Sequence, residues 1–518
     1  MSLRVPRFRL LATLATAAVL ATACTPGPEA GPDIVRGDHG GAGATAPDKL
    51  PNLPAPKRDL NYSNCAGRLA ETYGVAQPDG IRLECATFDS PIDPAKPDGS
   101  TLSVGVVRAS KAETPKDAAP LVLTTGTDLP SSRLALTLNS SAIGPLLDRH
   151  PLVLVDRRGI GESAEIDCLT RSQRSIIADD GAAGTRDVEA RVTALATATR
   201  AGADLCNDTL SPNQLDFADA DAAADLEQLR TRWQVDRIGL VGVGSGATVA
   251  LAYQGAHPSR LGRLILDSPV GLNVAATPAA AARAAGVQNS LATFATRCSN
   301  TGCSLGADGL GMLNRVVGAG ASGGLPGLSD TSVLAAITTA LALGDTSPDG
   351  LGRLADAISA ADRGDSGKLA ALATAADGVR DSDGQLLARC NDLVGRPGLA
   401  EIPGLATSWG RDAPLTANSA ALGLARCDGW GVADPAKAPE TFAVSPLILL
   451  GQNDPINGLK ITESLTPLMV TAGASPTTVS WDGLGYSVLS RSECAADVVA
   501  EYLGDVKLSG PAERACPA

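Results

Sequence analysis

Histidine is scarce: only His39, His150 and His257 occur in 518 residues. No two cysteines form a C-x-x-C pair. Together these absences argue against a structural zinc site, and no other metal or cofactor is expected. A long apolar run is missing as well; the longest near the N-terminus, Leu10 to Leu20, is too short to span a bilayer. Basic residues are outnumbered, with 43 Lys and Arg against 56 Asp and Glu and a net charge of −13. That balance argues against nucleic acid as a partner. No internal repeat is present.

What is there begins with a targeting segment. Arg4, Arg7 and Arg9 precede the Leu10–Leu20 run, and Ala21-Thr22-Ala23 leads to Cys24. Residues 1–23 therefore read as a signal peptide. Small residues before a cysteine also resemble a bacterial lipoprotein processing site, with lipidation at Cys24 and a membrane anchor; the alternative is ordinary cleavage after Ala23 and free secretion. Cysteine parity bears on this. Removing Cys24 from the 11 cysteines leaves an even set, as an exported disulfide-bonded protein requires. The sequence does not fix connectivity, and sequential pairing is the simplest expectation: Cys65–Cys85, Cys168–Cys206, Cys298–Cys303, Cys390–Cys427 and Cys494–Cys516. Residues 24–60, rich in Pro, Gly and Ala, read as a flexible tether.

From Asn61 the pattern changes. Leu83–Phe88, Ser90–Asp93 and Ser100–Arg108 read as opening antiparallel strands. Leu121–Gly126, Leu152–Asp156, Ile238–Val243 and Leu264–Asp267 read as buried strands, with a helix around Asp225–Arg230. Strands alternating with helices indicate a mostly parallel α/β sheet. Between about 271 and 422 strand-like runs vanish and helical spacing dominates, as in an inserted helical cap. Strand character returns at Pro446–Gly451 and Thr477–Trp481, and a helix over 495–502 closes the chain. The expected organisation is two core segments, 61–270 and 423–518, separated by the cap at 271–422. The stretch Ile238 to Ala247 is central. A buried strand meets a Gly-rich turn and a helix, the context of a nucleophile elbow, G-x-S-x-G. Here the frame is Gly242-x-Gly244-x-Gly246, and the nucleophile position is a glycine.

These motifs carry a resemblance. Glu84-Cys85-Ala86-Thr87 with Ser90-Pro91-Ile92-Asp93, the loop Asp156-x-Arg158-Gly159-x-Gly161-x-Ser163, and the elbow strand resemble secreted actinobacterial α/β-hydrolases of the tripeptidyl aminopeptidase type, which are related to prolyl aminopeptidases. His257-Pro258-Ser259-Arg260, Leu266-Asp267, Cys390-Asn391-Asp392, Cys427-Asp428-Gly429-Trp430 and Gly451-Gln452-Asn453-Asp454-Pro455 extend it over residues 61–518. The resemblance implies an α/β-hydrolase fold and removal of short peptides or single residues from free peptide N-termini by a Ser-His-Asp triad. Position by position, Asp454 carries over as the acid. The nucleophile position is Gly244, and the base position is Tyr486, in Gly485-Tyr486 ahead of Cys494. A His-Gly-Gly-Pro-Gly-like oxyanion run is replaced by Thr124-Thr125-Gly126-Thr127-Asp128. Ser245 is the alternative nucleophile, but its neighbours two residues away are Val243 and Ala247, whereas an elbow needs small residues there.

Three readings follow. A catalytically degenerate homologue would bind a peptide or small ligand without cleaving it. A working serine hydrolase or aminopeptidase would use Ser245 or another displaced nucleophile. In an interaction protein, Tyr486 would plug the space above Gly244 with its hydroxyl on a partner such as Asp454.

Overall fold

In the computed structural model of the chain, residues 49–518 apart from 182 are described. The signal peptide, Cys24, His39 and most of the tether lie outside them. The folded part begins earlier than Asn61. The Leu50 amide donates to the Asp505 carbonyl at 2.8 Å, Arg263 donates to the Pro51 carbonyl at 2.8 Å, and the Lys57 amide donates to the Trp233 carbonyl at 2.9 Å. Leu50 is buried. Pro-rich composition disguised this stretch, because it packs as extended chain with no periodicity.

Ten strands form one sheet: β1 (Ser63–Asn64), β2 (Arg82–Pro91), β3 (Thr101–Ser110), β4 (Leu121–Thr124), β5 (Leu152–Val155), β6 (Ile238–Val243), β7 (Leu261–Asp267), β8 (Leu447–Asn453), β9 (Thr477–Leu484) and β10 (Glu513–Cys516). Their order is β1-β2-β3-β5-β4-β6-β7-β8-β9-β10. β1, β2 and β3 pair antiparallel, as does β3 with β5; every later pairing is parallel. The runs expected as two strands at Leu83 and Ser90 are the single strand β2.

The central strands are apolar on both faces, as a sheet covered on both sides requires. Val122, Val153, Leu240 and Leu264 point into one core; Leu121, Leu154, Val241 and Ile265 point into the other. Helices Asp219–Trp233 and Gly246–Ala256 cover the first face, and Ser140–Leu147 and Glu493–Tyr502 the second. The chain does not close on that last helix. β10 follows it as an edge strand beside β9, tied back by Cys494–Cys516. Its sequence, Glu-Arg-Ala-Cys, lacks the apolar alternation that signals a strand, because an edge strand can leave most of its side chains in water. All five expected disulfides are formed.

No strand lies between Asp267 and Leu447. That interval holds the helices Ala276–Thr301, Gly309–Ala321, Asp330–Leu343, Pro348–Asp362, Gly367–Arg380, Asp383–Asp392, Ile402–Trp409 and Ala417–Gly423. The first five share a core that includes Phe294, Leu313, Val333, Ile337, Ile358 and Leu369.

The Asp156–Ser163 loop joins this cap to the sheet. Asp156 accepts from the Ser132 and Glu162 amides at 2.9 and 2.7 Å. Arg158, fully buried, holds Asp225 through two nitrogens at 2.9 and 2.6 Å. Arg157 donates to Asp219 and to Asp392 of the cap, each at 2.7 Å. The motif that resembles a catalytic family signature thus serves as an electrostatic joint.

Candidate functional site

The positions implicated by the sequence converge at the C-terminal ends of the parallel strands, where open α/β sheets place their ligands. Gly244 follows β6, Asp454 follows β8 and Tyr486 follows β9. Gly244 has φ +56°, a left-handed conformation that a side chain disfavours. Its glycine neighbours are required by close approach. A Cβ on Gly242 would lie 2.6 Å from Ala247 Cα, and one on Gly246 would lie 1.9 Å from the Thr124 carbonyl oxygen. The elbow geometry is therefore present and centred on residue 244.

The space a side chain would occupy is taken. A Cβ on Gly244 would lie 2.0 Å from Asp128 Oδ2, 2.5 Å from Asn457 Nδ2 and 2.9 Å from the Tyr486 hydroxyl. Asp128 Oδ2 is the hub. It accepts from the Ser245 amide at 2.9 Å, from Asn457 Nδ2 at 2.7 Å and from the Tyr486 hydroxyl at 3.1 Å. In an elbow, the amide that follows the nucleophile is one of the oxyanion donors. Here that amide, on Ser245, is bound to an internal carboxylate. A second amide from the loop after β4, that of Thr127, donates to Ser245 Oγ at 2.9 Å.

Tyr486 is completely buried. Its hydroxyl does not reach Asp454, as the plugging reading supposed; it lies against Asp128 Oδ2 and, at 3.2 Å, the Val243 carbonyl. Burial, with the Asp128 carboxylate next, pushes the phenol well above its ordinary value, so it stays a hydrogen-bond donor. Asp267, at the end of β7, anchors the segment behind it. The Val488 and Leu489 amides and the Ser487 hydroxyl donate to its carboxylate at 2.9 to 3.0 Å.

Asp454 is fully buried as well. Oδ1 accepts from the Ile456 and Asn457 amides at 2.7 and 3.2 Å, and Oδ2 has no partner among the described residues. In a triad the carboxylate orients a histidine through a hydrogen bond. Without one, burial raises Asp454 to about 7, against the opposing pull of its two backbone bonds.

Ser245 opens the helix Gly246–Ala256 in an ordinary right-handed conformation, φ −68° and ψ −14°. Its hydroxyl donates to the Thr125 carbonyl at 3.1 Å. Neither described histidine can serve it. His257 caps the far end of the same helix, about 18 Å away at 1.5 Å per residue. His150 precedes β5, at the N-terminal ends of the parallel strands and so opposite Ser245, and bonds the Ala119 carbonyl at 2.9 Å.

Above this sealed layer a cavity of about 380 Å³ remains between the strand ends and the cap. Asp128, Ser245 and Ile456 form part of its floor; Val287, Leu334 and Leu386 are among its apolar cap residues. Gly244, Asp454 and Tyr486 do not line it. The cap is held to this floor through Thr127, whose carbonyl accepts from Gln385 at 3.2 Å and Arg389 at 2.7 Å.

The sequence reading named Asp128 only as part of the altered loop after β4, and Asn457 escaped it. The available signal was the coincidence of two features: an acid in the loop after β4 and a glycine at the centre of the elbow. Among the described residues no group of His, Cys, Asp and Glu could hold a metal ion.

Comparison with known proteins agrees with this architecture. Residues 134–306 match a family model described as the alpha/beta hydrolase fold, and residues 413–516 match one described as TAP-like protein. No curated protein sequence matches the chain. Similar solved structures include the proline iminopeptidase of Mycobacterium smegmatis, at 12% identity over 81% of this chain and 97% of that one, with a TM-score of 0.37. Another is a serine hydrolase from Cycloclasticus zankles, at 12% identity, 81% and 97% coverage and a TM-score of 0.34. A third is 2-hydroxy-6-oxo-6-phenylhexa-2,4-dienoate hydrolase from Rhodococcus sp. strain RHA1, at 11% identity, 81% and 98% coverage and a TM-score of 0.33.

Proposed function

From the premise that the chain is an α/β-hydrolase of the TAP-like family, we propose that it binds a small molecule or peptide in the cleft under its cap and does not hydrolyse it. The observation that carries this reading is Asp128 Oδ2, which stands where a nucleophile's side chain would begin. Hydrolysis by this fold requires a nucleophile, a base and free oxyanion donors. The nucleophile position has no side chain. The base position holds a buried phenol that is already donating. The amides of Ser245 and Thr127 are committed to internal acceptors. Loss of the nucleophile or the base of a triad costs on the order of 10⁶ in turnover, and such losses do not simply add.

The same arrangement leaves the cavity open and lined by both apolar and charged groups, the composition of a ligand site. Sealing of the catalytic layer and retention of the cleft therefore coexist, which favours binding over a purely structural role.

The test is labelling of the purified chain with a fluorophosphonate serine-hydrolase probe, read by intact mass. No adduct is expected. A stoichiometric adduct, with Ser245 as the modified residue, would sink the reading. Restoring chemistry requires more than Gly244→Ser with Tyr486→His, because Asp128 would still occupy the site. The triple variant that adds Asp128→Gly is the one expected to gain an adduct.

A further inference from the structure

Four arginines gather over the floor of the cleft, and they are not equally neutralised. Arg157, on another wall, is closed off by Asp219 and Asp392. Arg426 is held by Asp180 at 2.6 Å and Asp381 at 3.0 Å. Arg389 reaches Asp381 only at 3.9 Å and spends its hydrogen bonds on the Thr127 and Arg380 carbonyls. Arg283 and Arg380 have no carboxylate within 4 Å among the described residues. Arg283 donates to Asn457 Oδ1 at 3.0 Å, and Arg380 to Thr338 Oγ1 at 3.1 Å. Both line the cavity, as do the carboxylates Asp128 and Asp381.

A guanidinium carries five donors. One neutral acceptor each leaves both side chains with donors to spare at the cavity, Arg380 partly buried and Arg283 toward its exposed side. Burial lowers Arg380 from its ordinary value, and repulsion from Arg283 and Arg426 adds to this effect, against the pull of Asp381 and Asp128. Asp377 is a further carboxylate near Arg380 and Arg426, off the cavity wall. The remaining wall is largely aliphatic, including Val274, Ala280, Val287, Leu334 and Leu386.

We propose that the cleft takes a carboxylate carried on an apolar body, with Arg283 and Arg380 as the groups that receive the anion. This rests on the reading of the cleft as a binding site and adds its ligand class. Guanidinium–carboxylate pairing supplies the polar anchor, and the aliphatic wall buries the rest. Asp128 and Asp381 on the same wall oppose a more highly charged anion, which favours a monoanion. The carboxylate can belong to an acyl chain or to the C-terminus of an apolar peptide.

Titration calorimetry of the whole folded chain tests this with octanoate, octan-1-ol and octylammonium, and separately with leucyl-alanyl-leucine and its C-terminal amide. At least one acid is expected to bind tenfold or more tightly than its uncharged or cationic counterparts; whichever acid does so identifies the source. R283Q/R380Q is expected to weaken that acid tenfold or more while leaving octan-1-ol unchanged. R283Q alone, at an exposed position, gives a smaller loss of the same sign, and thermal unfolding checks that each variant is folded. If alcohol, amine and amide bind as tightly as the acids, or if R283Q/R380Q binds the acid unchanged, the anion assignment falls and the binding cleft stands. If no probe binds the folded chain, both fall.

Discussion

Asp128 is the residue on which the site turns. A carboxylate brought within reach of the Ser245 amide, Asn457 and Tyr486 does three things at once. It occupies the Ser245 amide, fills the space that a side chain at 244 would take and gives a buried phenol its acceptor. A buried hydroxyl or amide left without a partner costs about 1–3 kcal/mol, so each of these bonds stabilises the sealed arrangement. Asp454 is the counterpart whose Oδ2 has no partner among the described residues. Its native value of about 7 lies above the unfolded value of about 4. The native state therefore holds more protons than the unfolded state between those limits, and stability falls as pH rises through that window. Denaturant unfolding from pH 4 to pH 8 is expected to show this decline. In Asp454→Asn the decline should be shallower, though Asp392, also raised to about 7, keeps part of it. An equal slope in both proteins would remove Asp454 from the account.

The strand–turn–helix element has the backbone of a nucleophile elbow with a glycine at its centre. Gly242 and Gly246 are demanded by contacts with Ala247 and Thr124, so the turn's shape is a packing requirement independent of catalysis. Gly244 differs, since the atoms that crowd a side chain there belong to Asp128, Asn457 and Tyr486 rather than to the turn, whose left-handed φ adds its own penalty. Gly244→Ala combines a disfavoured φ with a 2.0 Å clash and is expected to destabilise by roughly 1–3 kcal/mol. Asp128→Ala in the same chain should recover part of that loss, a coupling that a double-mutant cycle by chemical denaturation measures. Strict additivity would mean that the two residues do not compete for the space.

At the scale of the whole molecule, the first cap helices have a core of their own, whereas Leu386, Ile402 and Leu422 of the later ones pack into the core on the first face of the sheet, and a charged seam and Thr127 add to that joint. The ten cysteines after Cys24 are all paired. Disulfides at this density belong to oxidising compartments, and with Cys24 the odd one left over we propose an exported protein lipidated at that residue. Among the described residues no helix is long and apolar enough to cross a membrane. Mass spectrometry of the mature N-terminus from the producing cell's membrane fraction should show a diacylated Cys24. A free N-terminus with an unmodified thiol would refute the anchor.

Much of this was legible in the chain itself. Apolar runs such as Leu152–Val155 and Ile238–Val243 determine strands buried on both faces, because no solvent-exposed element tolerates that composition. Cysteine parity with sequential spacing matched the pairing found, since neighbouring elements bring those cysteines together. The frame Gly242-x-Gly244-x-Gly246 located the elbow, because only glycines permit that approach. The partners at the elbow came only from the tertiary structure. Ser245, Asn457 and Tyr486 are separated by 117 to 358 positions from the Asp128 carboxylate they share, and no local pattern links them. The same holds for Arg283 and Arg380. Each reads alone as a solvated helix charge, and only the fold turns both toward one cavity without a carboxylate to meet them.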